Sequence, residues 1–202
     1  MTTGLTTEGL RDGLKRIVAK LEACADELNV LDAALGDGDM GVTMMRGCRT
    51  LMVELPNLPE DLGLALLKCA QAFTKISAST FGTLLAIGLM SAAKATKGRR
   101  EIPWGEISSL LAGAGQAMSM RSQGQLGEKT VLDALEAARA ATEGIEDPAA
   151  LVSRADAAVA AAIEQFRLRP SRQGRARIFG EKSIGKDDPG MVAFKRLIEG
   201  LK

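Results

Sequence analysis

Leu31-Asp32-Ala33-Ala34-Leu35-Gly36-Asp37-Gly38-Asp39-Met40-Gly41-Val42-Thr43-Met44-Met45 is the stretch on which the reading of this chain turns. It joins two helical patterns through a bend. Upstream, Leu10, Leu14, Ile17, Leu21, Leu28, Leu31 and Leu35 recur at steps of three, four or seven, which marks one face of a long helix. Gly36 then suits a C-terminal cap. Downstream, the apolar run resumes at Val42 and predicts a second helix from about Thr43 to Glu54, ending before Pro56. Between the two lie Asp32, Asp37 and Asp39, within eight positions and beside three glycines. Carboxylates clustered at a bend suit a hard divalent cation. Glycine lets the backbone approach a ligand closely, and the first amides of the next helix suit an anion. A solvated turn has the same composition, and the stretch alone does not separate the two readings. An EF-hand is excluded: counting from Asp37, the sixth position is Val42 rather than Gly and the twelfth is Cys48 rather than Glu.

Working outward, prolines and caps punctuate the rest. Pro59 predicts a third helix near 60–74, followed by a Gly-, Ala- and Ser-rich fourth near 80–97. Pro103 opens a fifth to about Met120, and Thr130 a sixth to about Thr142. Pro148 opens a seventh to about Phe166, and Pro189 an eighth ending near Leu201. Eight helices with mostly short connections predict one all-α domain over 1–202, an antiparallel up-and-down bundle or barrel. The 202 residues are 46% hydrophobic, enough for one core, and only 3% aromatic, with Val and Ile too scattered to signal strands. Two connections exceed what packing needs: Arg121 to Lys129, and Arg167 to Asp188 with its basic cluster Arg167–Arg177. That cluster is either a solvated face or a phosphate site. Gly127-Glu128-Lys129-Thr130 is not a P-loop, because it lacks the Gly-Lys-Thr order.

A net charge of +1 argues against nucleic acid or an anionic membrane as partner. Cys24, Cys48 and Cys69 lack metal spacing and sit in apolar runs, as reduced core residues do. With no signal peptide and no membrane-spanning run in evidence, the expected location is the cytoplasm. Histidine and tyrosine are both missing. Acid–base work would fall to carboxylates, Lys or Cys. If phosphate reaches a substrate through a histidine, that histidine belongs to another chain.

In this order the motifs resemble the L subunit of dihydroxyacetone kinase, over nearly the whole length. Leu31-Asp32 with Gly36-Asp37-Gly38-Asp39 is similar to that family's two-magnesium motif, and Ser77 before Phe81-Gly82-Thr83 to its nucleotide segment. Gly127-Glu128-Lys129-Thr130 with Asp133 is similar to its Gly-Asp-Lys-Thr motif. Gly174-Arg175-Ala176, Gly180-Glu181-Lys182-Ser183-Ile184-Gly185 and Asp188-Pro189-Gly190 resemble its C-terminal signature. The resemblance implies an eight-helix antiparallel barrel with ADP or ATP at one open end. It implies two Mg2+ ions on Asp32, Asp37 and Asp39. Nucleotide contacts are implied at Met40, Gly41, Val42, Thr43, Ile76, Ser77, Ser122, Val131, Arg175, Asp188, Pro189 and Gly190. It implies no catalytic side chain in this chain alone, phosphoryl transfer running through the metal site to a short-chain ketose held on a histidine of a K-type partner subunit. ATP and a histidine phosphocarrier protein both stay open as phosphate donors, and homodimerisation stays open too. The chain departs from the family at Met40 (usually His), Thr43 (Asn), Thr74-Lys75 (Gly-Gly), Ala78 and Ser122 (Gly) and Glu128 (Asp). These departures motivate an alternative, a nucleotide-binding regulatory paralogue without turnover.

Overall fold

Local signals start most of the helices. The computed structural model describes residues 3–74 and 79–202. The Thr6 hydroxyl accepts from the Gly9 N–H at 3.2 Å and opens α1 (Thr7–Ala23). A one-residue break at Cys24 separates α1 from α2 (Ala25–Ala33), so the long predicted helix is a single stave with a kink. The chain continues through α3 (Met40–Glu54), α4 (Leu62–Thr74), α5 (Thr80–Ala95) and α6 (Ile107–Ser122). It ends with α7 (Val131–Thr142), α8 (Pro148–Arg167) and α9 (Pro189–Glu199). Thr130 and Asp133 form a reciprocal capping box at the start of α7. Asp147 and Asp188 cap α8 and α9 just before the prolines that occupy their first turns.

Each helix packs on the next in sequence, and α9 returns against α1 and α2. With α1 and α2 counted as one stave, this is the predicted all-α antiparallel ring of eight. The main core fills it, from Leu21, Leu28 and Met44 through Phe73 and Phe81 to Val159 and Met191. None of the described helices is long and apolar enough to cross a membrane.

Several boundaries differ from expectation. Gly36 is not a cap, since α2 closes at Ala34 and the chain turns before it. Pro59 does not open α4. Asp61 instead accepts from the Leu64 N–H (3.0 Å) and from the Gly98 N–H of a distant loop (2.8 Å). Pro103 does not open α6. It ends a short strand, β2 (Glu101–Pro103), paired antiparallel with β1 (Gly4–Thr6) so that Leu5 faces Ile102. Strands of three residues carry no alternation long enough to read.

A charged seam closes the ring. From α9, Lys195 pairs with Asp156 of α8 at 3.1 Å, and Glu199 with Lys20 of α1 at 2.9 Å. Arg196 donates to Glu27 of α2 at 3.0 Å and holds Glu199 through two bonds of 2.8 Å. Burial works against the Glu199 carboxylate, but hydrogen bonds from Lys195, Lys20 and Arg196 prevail and hold its pKa at about 2. This folded value lies below the unfolded one of about 4.3. The contribution to stability is therefore full above that pH and is lost as pH falls toward 2. We expect the thermal midpoint to drop between about pH 5 and pH 2. Glu199→Gln should lower the midpoint at pH 7 by about 2–4 °C, equivalent to ~1 kcal/mol in a domain of this size, and flatten the acid limb. Parallel pH profiles for the two proteins would show that the seam does not anchor α9.

Candidate functional site

Alternating helix direction brings the N-termini of α3, α5, α7 and α9 to one end of the ring, where they border a single cavity of about 560 Å³. Its lining includes Asp39 and Met40 at the start of α3, and Ser79, Thr80 and Phe81 at the start of α5. Val131 and Leu132 belong to α7, and Asp188, Pro189 and Gly190 to α9. Arg121 and Ser122 enter from the end of α6. Helix N-termini carry partial positive charge and unsatisfied N–H groups, so four around one cavity favour an anion.

Opposite charge sits beside them. One oxygen from each of Asp32, Asp37 and Asp39 lies within 4.8 Å of the others. Asp32 organises the bend, its Oδ2 accepting from the N–H groups of Gly38 (2.9 Å) and Asp39 (3.1 Å). A Cβ at Gly36 would stand 2.5 Å from Asp32 Oδ1, and Gly38 has φ +78, so both glycines are required by the shape of the bend. Asp39 stands at the start of α3 without using its side chain as a cap. Burial raises the pKa of Asp32, against the N–H groups of Asp39, Gly38 and Met40. A hydrogen bond from Arg175 holds Asp37 below the usual carboxylate range. Three carboxylates converging on oxygen donors alone form a donor set that fits Mg2+ or another hard cation.

The connection from Arg167 to Asp188 reaches over this end. Gln173, Gly174, Arg175, Ala176 and Arg177 line the cavity, and Arg175 forms an ion pair with Asp37. Gln173 Nε2 donates to the Ser122 carbonyl at 2.9 Å. A bidentate pair from Arg167 to Asp187 (2.7 and 2.9 Å) and the Gly185 N–H on the Arg167 carbonyl (2.8 Å) gather the ends of the loop. Asp188 caps α9 through the Met191 N–H at 2.8 Å. Burial pushes the Asp188 carboxyl up to about 7, against that N–H and the nearby Lys129 ammonium.

Of the residues expected here, Asp32, Asp37, Asp39, Met40, Ser122, Val131, Arg175, Asp188, Pro189 and Gly190 all line the cavity. Ile76 and Ser77, with Lys75 and Ala78, lie outside the described residues. Gly41, Val42 and Thr43 do not line it. The Val42 N–H donates to Asn29 Oδ1 (3.2 Å), the Thr43 N–H to the Asp39 carbonyl (2.9 Å), and Thr43 is buried. Gly41 serves packing: a Cβ there would stand 2.0 Å from the Ala25 carbonyl oxygen. Packing against α2 therefore requires glycine at 41, a need that leaves no mark within its own motif. Phe81 and Gln173, which the sequence does not predict as contacts, also line the cavity. Sequence carries no local signal for Gln173.

The model of the DAK2 domain family matches residues 34–202. The chain is 28% identical to the ADP-binding subunit DhaL of PEP-dependent dihydroxyacetone kinase from Escherichia coli, covering 92% of this chain and 94% of that subunit. It is 34% identical to L-erythrulose 1-kinase of Mycolicibacterium smegmatis over 96% of this chain but only 36% of that longer enzyme. In fold it is similar to the crystal structure of the C. freundii dihydroxyacetone kinase in complex with AMP-PNP and Mg2+. That match has a TM-score of 0.76 and 22% identity, covering all of this chain and 34% of the other.

Gly41→Ala tests the packing role. The added methyl would push α3 off α2 and is expected to destabilise the protein by ~1–3 kcal/mol or more in chemical denaturation. An unchanged midpoint would return Gly41 to the ligand side.

Proposed function

The chain belongs to the DAK2 domain family, and from this we propose that it is the nucleotide- and magnesium-binding subunit of a kinase for dihydroxyacetone or a related short-chain ketose. One observation carries the reading. Three carboxylates lie within 4.8 Å of one another, in the cavity that four helix N-termini border. Few ligands other than a polyphosphate with its metal ions call for both charges at once. The E. coli relative, named as an ADP-binding subunit and covered over 94% of its length, supports the assignment.

In this reading Asp32, Asp37 and Asp39 hold two Mg2+ ions, and the starts of α5, α7 and α9 receive the nucleotide. Bound magnesium supplies charge neutralisation across the phosphate oxygens. Phosphoryl transfer depends on positioning and electrostatics more than on a strong base. The chain's own part is to orient the phosphates, through helix N-termini and the Arg175 guanidinium, and to exclude water beneath the 167–188 loop. No histidine or tyrosine is present to bind a ketose or take its proton. Those groups belong to a K-type partner docked at this end, and the nucleotide is either ATP consumed in turn or ADP recharged in place by a phosphocarrier. ADP retained through purification would favour the second.

A second reading is a regulatory paralogue that binds nucleotide without turnover. Met40 motivates it, an apolar thioether lining the cavity beside the acidic cluster where the family usually has a donor. Adding a K-type subunit and ketose separates the two.

Asp37→Asn and Asp39→Asn should each abolish magnesium-dependent ADP binding in calorimetry while the helical spectrum is kept. Unchanged affinity in both would remove the metal assignment. The isolated chain should make no phosphorylated ketose from ATP, and a K-type partner should restore the reaction. Turnover by this chain alone would make it self-sufficient and overturn the two-subunit scheme.

A further inference from the structure

Lys129 is 1% exposed and does not line the cavity, although it stands in one of the chain's most distinctive motifs. Its backbone has φ +64, a left-handed conformation unfavourable to any residue with a side chain. Burying an ammonium and holding this backbone are both unfavourable, so the residue must answer a strong local need. That need is visible at its tip. Nζ donates to the Arg169 carbonyl at 2.9 Å and to the Ser183 carbonyl at 2.8 Å, joining the two arms of the 167–188 loop. The charges of Asp188 and Asp187 favour the ammonium, against its burial.

Neighbouring bonds tighten the same point. The Arg172 N–H donates to the Glu128 carbonyl at 3.1 Å, and the Ser171 N–H to Ser183 Oγ at 2.7 Å. The segment between the two arms enters the cavity and carries Arg175 onto Asp37. An ammonium offers three donors in one compact group, which an apolar side chain of equal length lacks. Without it, the Arg169 carbonyl loses this donor and the Ser183 carbonyl is left with the Lys186 N–H at 3.2 Å, so the tie between the two arms is lost.

We infer that Lys129 is the positioning residue of this site: it clamps both arms of the 167–188 loop so that Arg175 is held at the acidic cluster and at the phosphates of the ligand. The inference rests on the nucleotide-binding reading for its ligand, but the clamp itself does not.

The test compares the full chain with Lys129→Met, Arg175→Ala and the double variant. ADP affinity with Mg2+ is read by calorimetry. Loop exposure is read by trypsin cleavage after Arg172 and Arg177, mapped by mass spectrometry. Lys129→Met is expected to weaken ADP about as much as Arg175→Ala does, about 10- to 100-fold, the loss expected for one charge-assisted contact. The double variant should be no weaker than the poorer single, because both changes remove one contact. Cleavage within the loop should accelerate in Lys129→Met while unfolding stays cooperative. A Lys129→Met protein that binds ADP like the parent, or whose loop stays protected, overturns the clamp; so do losses that multiply in the double variant. If the parent itself binds no ADP, the nucleotide reading fails, and the cleavage rates alone decide the clamp. Should Lys129→Met not fold, Lys129→Gln, which keeps an amide donor for one of the two carbonyls, takes its place under the same criteria.

Discussion

Everything at the functional end follows from a closed ring of antiparallel helices. Direction alternates around such a ring, so every second helix starts at the same end. Here α3, α5, α7 and α9 start where the cavity lies. Each contributes roughly half a unit of positive charge at its N-terminus. Left alone, that concentration favours any anion. The bend between α2 and α3 sets three aspartates into the same field, so that both signs of charge meet at this end.

The ring would be open without α9, and the chain reaches α9 only through the long 167–188 connection. The two are therefore one device. The charged seam of Lys195, Arg196 and Glu199 fastens α9 to α8, α1 and α2. The loop before α9 is fastened by Lys129, Ser183 and the Arg167–Asp187 pair. Buried polar groups are expensive unless satisfied. Their concentration beneath one surface loop indicates that the position of this loop matters more than its composition.

Much of the fold was legible because helix starts are local. Thr130, Pro148 and Pro189 predicted the starts of α7, α8 and α9 to within a residue, since caps and first-turn prolines act on the backbone beside them. Pro59, Pro103 and Gly36 misled because other features set those boundaries: the cap at Asp61, which also holds the distant Gly98 N–H, the β1–β2 pairing, and the turn after Ala34. The kink at Cys24 left no mark in a leucine pattern that runs through it.

The site divides along the same line. The clustering of Asp32, Asp37 and Asp39 was legible in sequence because the three lie within eight positions across one bend. Histidine's absence was likewise plain from composition. Tertiary structure decided the rest: Arg175 on Asp37, Gly41 against Ala25, and Lys129 beneath a loop whose far arm is 54 residues away. Contacts at that separation depend on which staves become neighbours when the ring closes. That choice is made by the packing of the whole core, not by the residues that use it.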